Sequence, residues 1–157
     1  METTSPYRYL RLRTSEREAA VEKIHHALAQ RSDVSFAYVH GSFLSEEPFR
    51  DIDVAVWLSG KPPSPLEAEL DLEMELHQAL GESLPVDVRL LHTAPLSFCY
   101  SVIRNGRPVF TRDEGARARF VEITLSRYFD FAPFHKRYLE ETLGIGLRQR
   151  SGQEDHL

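Results

Sequence analysis

The sequence predicts an α/β fold: a small mixed β-sheet flanked by helices, expected on one side of it, followed by a C-terminal helical segment. Three observations carry this. The runs VSFAYVH (34–40), DIDVAVWL (51–58) and PVDVRLL (85–91) have strand length and are rich in β-branched and aromatic residues. Segments with apolar residues at three- and four-residue spacing separate them. Glycines and prolines punctuate the joins. A chain of 157 residues, 41% hydrophobic, suits one domain with one sizeable core. With no repeat or long linker to divide it, residues 1–143 read as a single domain. Residues 144–157, ending in the polar RQRSGQEDHL, read as a flexible tail.

The elements follow in order. Ser15 and Glu18 have capping-box spacing, and Ala19, Val21, Ile24 and Leu28 recur at helical spacing, giving a first helix to about Arg31. The strand VSFAYVH stops at Gly41, so Gly41 and Ser42 form the turn after it. DIDVAVWL is a second strand; the prolines of SGKPPSP close it and lead into a helix from about Pro65 to Leu80. In PVDVRLL, Val86, Val88 and Leu90 share one face while Asp87 and Arg89 share the other. A short helix near Pro95 to Arg104 follows, then a turn at Asn105-Gly106 and a brief PVF strand. Helical sequence runs from about Glu114 to Leu143, broken near Pro133. Glu67, Glu69, Asp71, Glu73 and Glu75 read as a solvated acidic face, with a partner surface as second choice, and Cys99 and Trp57 as core residues, Trp57 alternatively flanking a base. Arg127, Tyr128 and Asp130 read as lying near a helix end.

Charge and composition exclude some functions. A formal net charge of −5 argues against a general phosphate-backbone binder, so no direct nucleic-acid binding is expected. The lone Cys99 forms no internal disulfide, METTSPYRYLRLRT lacks a signal peptide's apolar core, and no apolar run approaches the ~20 residues of a membrane span. These features predict a cytoplasmic protein with no membrane partner.

The chemistry lies in the strands. Residues two apart on a strand share a face, so Asp51 and Asp53 converge while Ile52, Val54 and Val56 point into the core. At ~4 Å such a pair repels by about 1 kcal/mol in water and about 4 kcal/mol at a protein's effective dielectric, so it calls for a cation or a shared proton. Oxygen-only ligation suits Mg²⁺, which is held by one or two carboxylates together with substrate phosphates. Asp87 supplies a candidate third carboxylate for a two-metal site, and Gly41 with Ser42 a turn that can approach and bind phosphate. Alone, an Asp-x-Asp is more often a pair of solvated acids at a strand end. A haloacid-dehalogenase-like phosphatase would place its carboxylates after an apolar strand, whereas these precede one. A Ser42 hydrolase nucleophile would need Gly-x-Ser-x-Gly, which Phe43-Leu44 does not supply.

The stretch HGSFLSEEPFRDIDVAV, with Asp87 in PVDVRLL after it, resembles the DNA-polymerase-β-type nucleotidyltransferase signature. The short chain, the RPVF after an NG turn and SRYFDFAPFHKRYL most resemble the stand-alone minimal nucleotidyltransferases, MntA-type antitoxins that act beside HEPN ribonuclease toxins. The resemblance implies a polymerase-β-like fold in which Gly41 and Ser42 hold the nucleotide β- and γ-phosphates. It implies that Asp51 and Asp53 bind two Mg²⁺ ions, and that Asp87 binds one and helps activate the acceptor hydroxyl. It further implies transfer of AMP from ATP to a tyrosine of a HEPN-type toxin, silencing it. Alternatives are an antitoxin that acts by binding alone and a transferase for a small hydroxylated substrate such as an aminoglycoside. The loop departs from the family's Gly-Ser-x-Ala-x-Gly: it has Leu44, no second glycine, Glu46 and Glu47, and Arg50 where a serine usually precedes the first aspartate.

Overall fold

The structure, a computed structural model, describes residues 8–45 and 47–143; Glu46 and the tail expected over 144–157 lie outside them. Four strands form one sheet in the order β3-β2-β1-β4. The central β1 (Val34–His40) pairs antiparallel with β2 (Ile52–Leu58) on one side and with β4 (Arg107–Thr111) on the other. β2 pairs in parallel with β3 (Val86–Leu90), and α2 (Pro65–Leu80) makes the crossover that a parallel pair requires. The remaining helices are α1 (Thr14–Ala29), α3 (Leu96–Asn105) and α4 (Glu114–Leu143).

Helices cover both faces of the sheet, not the single side expected. Val39, Val54, Val56, Val88 and Leu90 pack under α1 and α2, against Ile24, Leu28, Leu72 and Leu76. On the reverse face Phe36, Tyr38, Ala55 and Leu91 pack with Cys99 and Val102 of α3 and Phe120 of α4. The reason is that β1 is apolar at both of its alternating sets of positions, so both faces need cover. Cys99 is buried as expected. Trp57 is half-buried at the margin of this second core, stacked on Phe36 with ring centroids 5.8 Å apart.

Several local signals read true, and others do not. Ser64 caps α2 by accepting the Glu67 amide at 3.3 Å, with Pro65 at the first helical position and Gly81, φ 92°, just past the end. The Ser15–Glu18 capping box is absent. α1 begins at Thr14, so Ser15 already lies inside the first turn; Arg13 takes the cap position and its amide donates to Glu16 at 3.4 Å. Glu18 pairs instead with Arg107 of β4 at 2.7 and 3.2 Å.

The break at Pro133 is also absent, since α4 runs unbroken from Glu114 to Leu143. A proline removes one backbone donor, and the turns on either side of it keep theirs. Arg127, Tyr128 and Asp130 therefore lie within a helix, where Tyr128 stacks on Tyr100 of α3 at 3.6 Å. The acidic face of α2 is only partly solvated. Glu73 and Glu69 reach the free edge of β3 and accept the amides of Val88 at 2.9 Å and Leu90 at 3.1 Å. Glu75 pairs with Arg31 at 3.2 Å.

Candidate active site

The two antiparallel and parallel registers put His40, Asp53 and Asp87 in one row across three strands: His40 lies opposite Asp53 on β1–β2, and Asp53 opposite Asp87 on β2–β3. This row belongs to the face that α3 and α4 cover further along, where Ala55 is fully buried. Asp51 stands just before β2. One carboxylate oxygen from each of Asp51, Asp53 and Asp87 lies within 4.8 Å of the other two. Asp51 and Asp53 are half-buried and Asp87 is exposed, so the cluster opens to solvent on one side. The structure thus brings together the three acids singled out in the sequence, with Ile52, Val54 and Val56 fully buried on the other side of the strand.

Burial, and then the neighbouring Asp51 and Asp87, push the Asp53 carboxyl up to about 6 against the pull of Arg50. Desolvation is the leading cause, ahead of the like charges that the sequence alone suggests. A cluster that crowds three carboxylates and raises one of them to about 6 without a cation, and offers only oxygen donors, fits a divalent ion of the Mg²⁺ type.

Gly41 and Ser42 sit at the same end of the sheet. Gly41 adopts φ +80°, a conformation open to glycine, and a Cβ there would collide with the Asp53 carboxylate. Both constraints explain the residue and bring the backbone of this turn against the acids. Ser42 opens a 3₁₀ turn, Ser42–Leu44, whose Leu44 amide donates to the Gly41 carbonyl at 3.2 Å. Ser45 closes it, its amide and hydroxyl donating to the Ser42 carbonyl at 3.1 and 2.8 Å. Gly41 and Ser42 are both exposed, while Phe43 between them and Ser45 is buried as an anchor.

His40, which the sequence places beside the phosphate turn and which reads there as more often structural, forms the flank of the site with Arg89 and α3. His40 packs edge-on against Phe98 of α3 at 5.1 Å, and Arg89 lies over the same ring at 5.1 Å. Burial holds the His40 imidazole below its ordinary value, with Asp87 pulling the other way and Arg89 reinforcing it. Alternation along PVDVRLL places Arg89 on the Asp87 face, but the approach of α3 is tertiary and leaves no mark in the sequence. Trp57 lies away from this centre. Buried Ala55 separates it from Asp53, roughly 13 Å along the strand at ~3.3 Å per residue. Its indole lines a separate cavity of about 460 Å³ with His92, Phe120 and Arg127.

Three converging carboxylates that could hold a metal ion, beside a glycine–serine turn, sit on a mixed sheet with helices on both faces, the architecture of an α/β domain. The sequence matches the family described as polymerase beta, nucleotidyltransferase, over residues 22–115, and the chain belongs to that family. The match spans the stretch from α1 to the start of α4, including all five candidate residues. No curated protein matches the sequence closely enough to count as a relative.

Solved structures are similar in fold. A chain of the tri-AMPylated Shewanella oneidensis HEPN toxin in complex with MNT antitoxin is 21% identical, with a TM-score of 0.63 over 81% of this chain and 98% of that one. A toxin–antitoxin structure with AMP-PNP is 22% identical, with a TM-score of 0.64 over 78% and 98%. The MntA-HepT toxin–antitoxin structure is 21% identical, with a TM-score of 0.62 over 80% and 98%. Among the described residues no helix is long and apolar enough to cross a membrane.

Proposed function

We propose that this nucleotidyltransferase is a cytoplasmic antitoxin that transfers AMP from ATP to a tyrosine of a HEPN-type ribonuclease toxin and so silences it. The observation that carries the reading is the convergence of Asp51, Asp53 and Asp87 beside the Gly41–Ser42 turn. The similar structures add support: one is a tri-AMPylated HEPN toxin with its antitoxin and another holds AMP-PNP.

Asp51 and Asp53 would hold two Mg²⁺ ions and Asp87 one of them; bound there, the ions neutralise the carboxylates and the triphosphate and lower the pKa of an attacking hydroxyl. The chain's own residues do the rest. Gly41 lets backbone come close to the β- and γ-phosphates, and Ser42 offers them its hydroxyl and amide. Asp87, the most exposed of the three acids, faces the incoming acceptor and receives its proton. The acceptor oxygen forms its bond to the α-phosphorus as the bond to the leaving pyrophosphate breaks in line, and the site's contribution is to hold the two ends in that geometry.

The test is to incubate the chain with Mg²⁺, α-labelled ATP and a HEPN-type toxin, taken from the neighbouring gene where that encodes one. Label on a toxin tyrosine, lost by at least 100-fold with Asp51→Asn or Asp53→Asn, is the expected outcome. Silencing of the toxin without label would favour an antitoxin that acts by binding alone. Label on a small hydroxylated compound such as an aminoglycoside, and none on the toxin, would favour the small-molecule reading.

A further inference from the structure

The stretch from Gly41 to Asp51 must hold Gly41, at positive φ, against Asp53, yet among its described residues the regular structure is one short 3₁₀ turn and an isolated bridge at Phe49. It also lacks the second glycine that the family loop carries. What shapes it comes from outside. Arg17, on the first turns of α1, reaches across to it: one terminal nitrogen donates to the carbonyls of both Phe43 and Ser45, and the other to the carbonyl of Glu47 at 3.4 Å. Its Nε donates to the Leu12 carbonyl at 3.1 Å, tying the same guanidinium to the segment before α1.

The plane of that guanidinium rests near two aromatic rings, 5.6 Å from the centroid of Phe43 and 5.4 Å from that of Phe49. Those rings are themselves in edge-to-face contact at 5.1 Å and fully buried. Phe49 is held in turn by a two-way backbone bridge to Leu10, at 2.7 and 3.1 Å. One side chain thus grips the loop at three points spanning five residues, with its own position locked by stacking and by Leu12.

We propose that Arg17 is the positioning residue of the phosphate turn. This rests on the reading that Gly41 and Ser42 meet the triphosphate. A carbonyl oxygen carries partial negative charge and repels phosphate; Arg17 engages three of them, those of Phe43, Ser45 and Glu47. By holding Phe43 inside the 3₁₀ turn and Ser45 just after it, Arg17 also keeps Gly41 at its positive φ against Asp53, so the turn is shaped before nucleotide arrives. A planar fork with five donors can span these carbonyls at once, whereas the single ammonium of lysine cannot.

The experiment compares the full-length wild type with Arg17→Lys, Arg17→Ala and Asp53→Asn, after circular dichroism has confirmed that each is folded. Affinity for Mg²⁺-ATP is measured by calorimetry, and affinity for Mn²⁺ without nucleotide by electron paramagnetic resonance. Both Arg17 variants should bind Mg²⁺-ATP at least tenfold more weakly while keeping Mn²⁺ affinity within twofold, and millimolar guanidinium should restore part of the loss in Arg17→Ala. Asp53→Asn should lose both affinities. Should Asp53→Asn lose Mg²⁺-ATP while Arg17→Lys stays within twofold of wild type, the positioning role fails and the reading of the site survives. Loss of Mn²⁺ affinity in Arg17→Lys equal to its loss of nucleotide would also overturn the role, by showing general damage to the site. If Asp53→Asn binds Mg²⁺-ATP normally, the reading of the site itself fails.

Discussion

At the scale of single residues, Asp53 is where folding and chemistry oppose each other. It is half-buried beside two other acids, and its carboxyl is raised from an ordinary 3.8 to about 6. A raised acid binds its proton more tightly in the native state than in the unfolded one. Between about pH 4 and 6, stability without metal therefore falls as pH rises, and above pH 6 the whole penalty is present. Asp53→Asn removes it. We expect that variant to exceed wild type in stability at pH 7.5 by on the order of 1 kcal/mol, a figure discounted for the solvent that still reaches the group, and to lose the advantage near pH 4. Urea midpoints at the two pH values check this; an Asn variant less stable than wild type at pH 7.5 would contradict it. The pair Asp51 and Asp53 was legible because a strand's period of two is rigid, and Asp87 because PVDVRLL alternates cleanly. The positions of His40 and Arg89 were legible too, but their contacts and those of Arg17 were not, because each is made with a partner distant in sequence: Phe98 for the first two, and the Phe43–Glu47 backbone for Arg17.

At the scale of elements, α2 shows how a charge pattern can mislead. Five acids in nine residues suggest a solvated face, yet Glu69 and Glu73, one turn apart, close the open edge of β3. An unpaired edge invites pairing with another chain, and side-chain acceptors on its amides blunt it. The sequence shows the i, i+4 spacing but not that β3 is the sheet's outermost strand, since strand order follows from the crossover and not from any local signal. Replacing Glu69 and Glu73 together by alanine should cost about 2 kcal/mol, roughly 1 for each hydrogen bond. Glu73→Gln alone should cost little, because the amide oxygen can still accept from Val88 and burial already raises the Glu73 carboxyl. Chemical denaturation checks both, and a double variant within 0.3 kcal/mol of wild type, taken as roughly the error of additivity, would remove the edge role. The ends of α2 were readable because Ser64, Pro65 and Gly81 act within their own turn, whereas α4 crosses Pro133 because a helix of that length outlasts one lost bond.

At the scale of the whole molecule, two cores on opposite faces of one sheet leave open the end where His40, Asp53 and Asp87 align. The α/β class, the order of elements and the mixed sheet were legible in the sequence. The cover on both faces was not read, although β1, apolar at nearly every position, contains the reason for it. The architecture places acids that repel one another at a fixed site, and a nucleotide with its divalent ions would relieve that repulsion. The most direct measurement is therefore the thermal shift given by Mg²⁺-ATP at neutral pH, in wild type and in the Asp51→Asn, Asp53→Asn double variant. At roughly 100 times the dissociation constant, binding stabilises the wild type by about 2.7 kcal/mol, a rise of roughly 5–10 °C in Tm for a domain of this size. The account predicts that shift in wild type and its near-complete loss in a double variant whose Tm without ligand is no lower than that of wild type. An undiminished shift in the double variant would put the nucleotide elsewhere on the molecule and contradict the assignment of Asp51, Asp53, Asp87, Gly41 and Ser42 as its site.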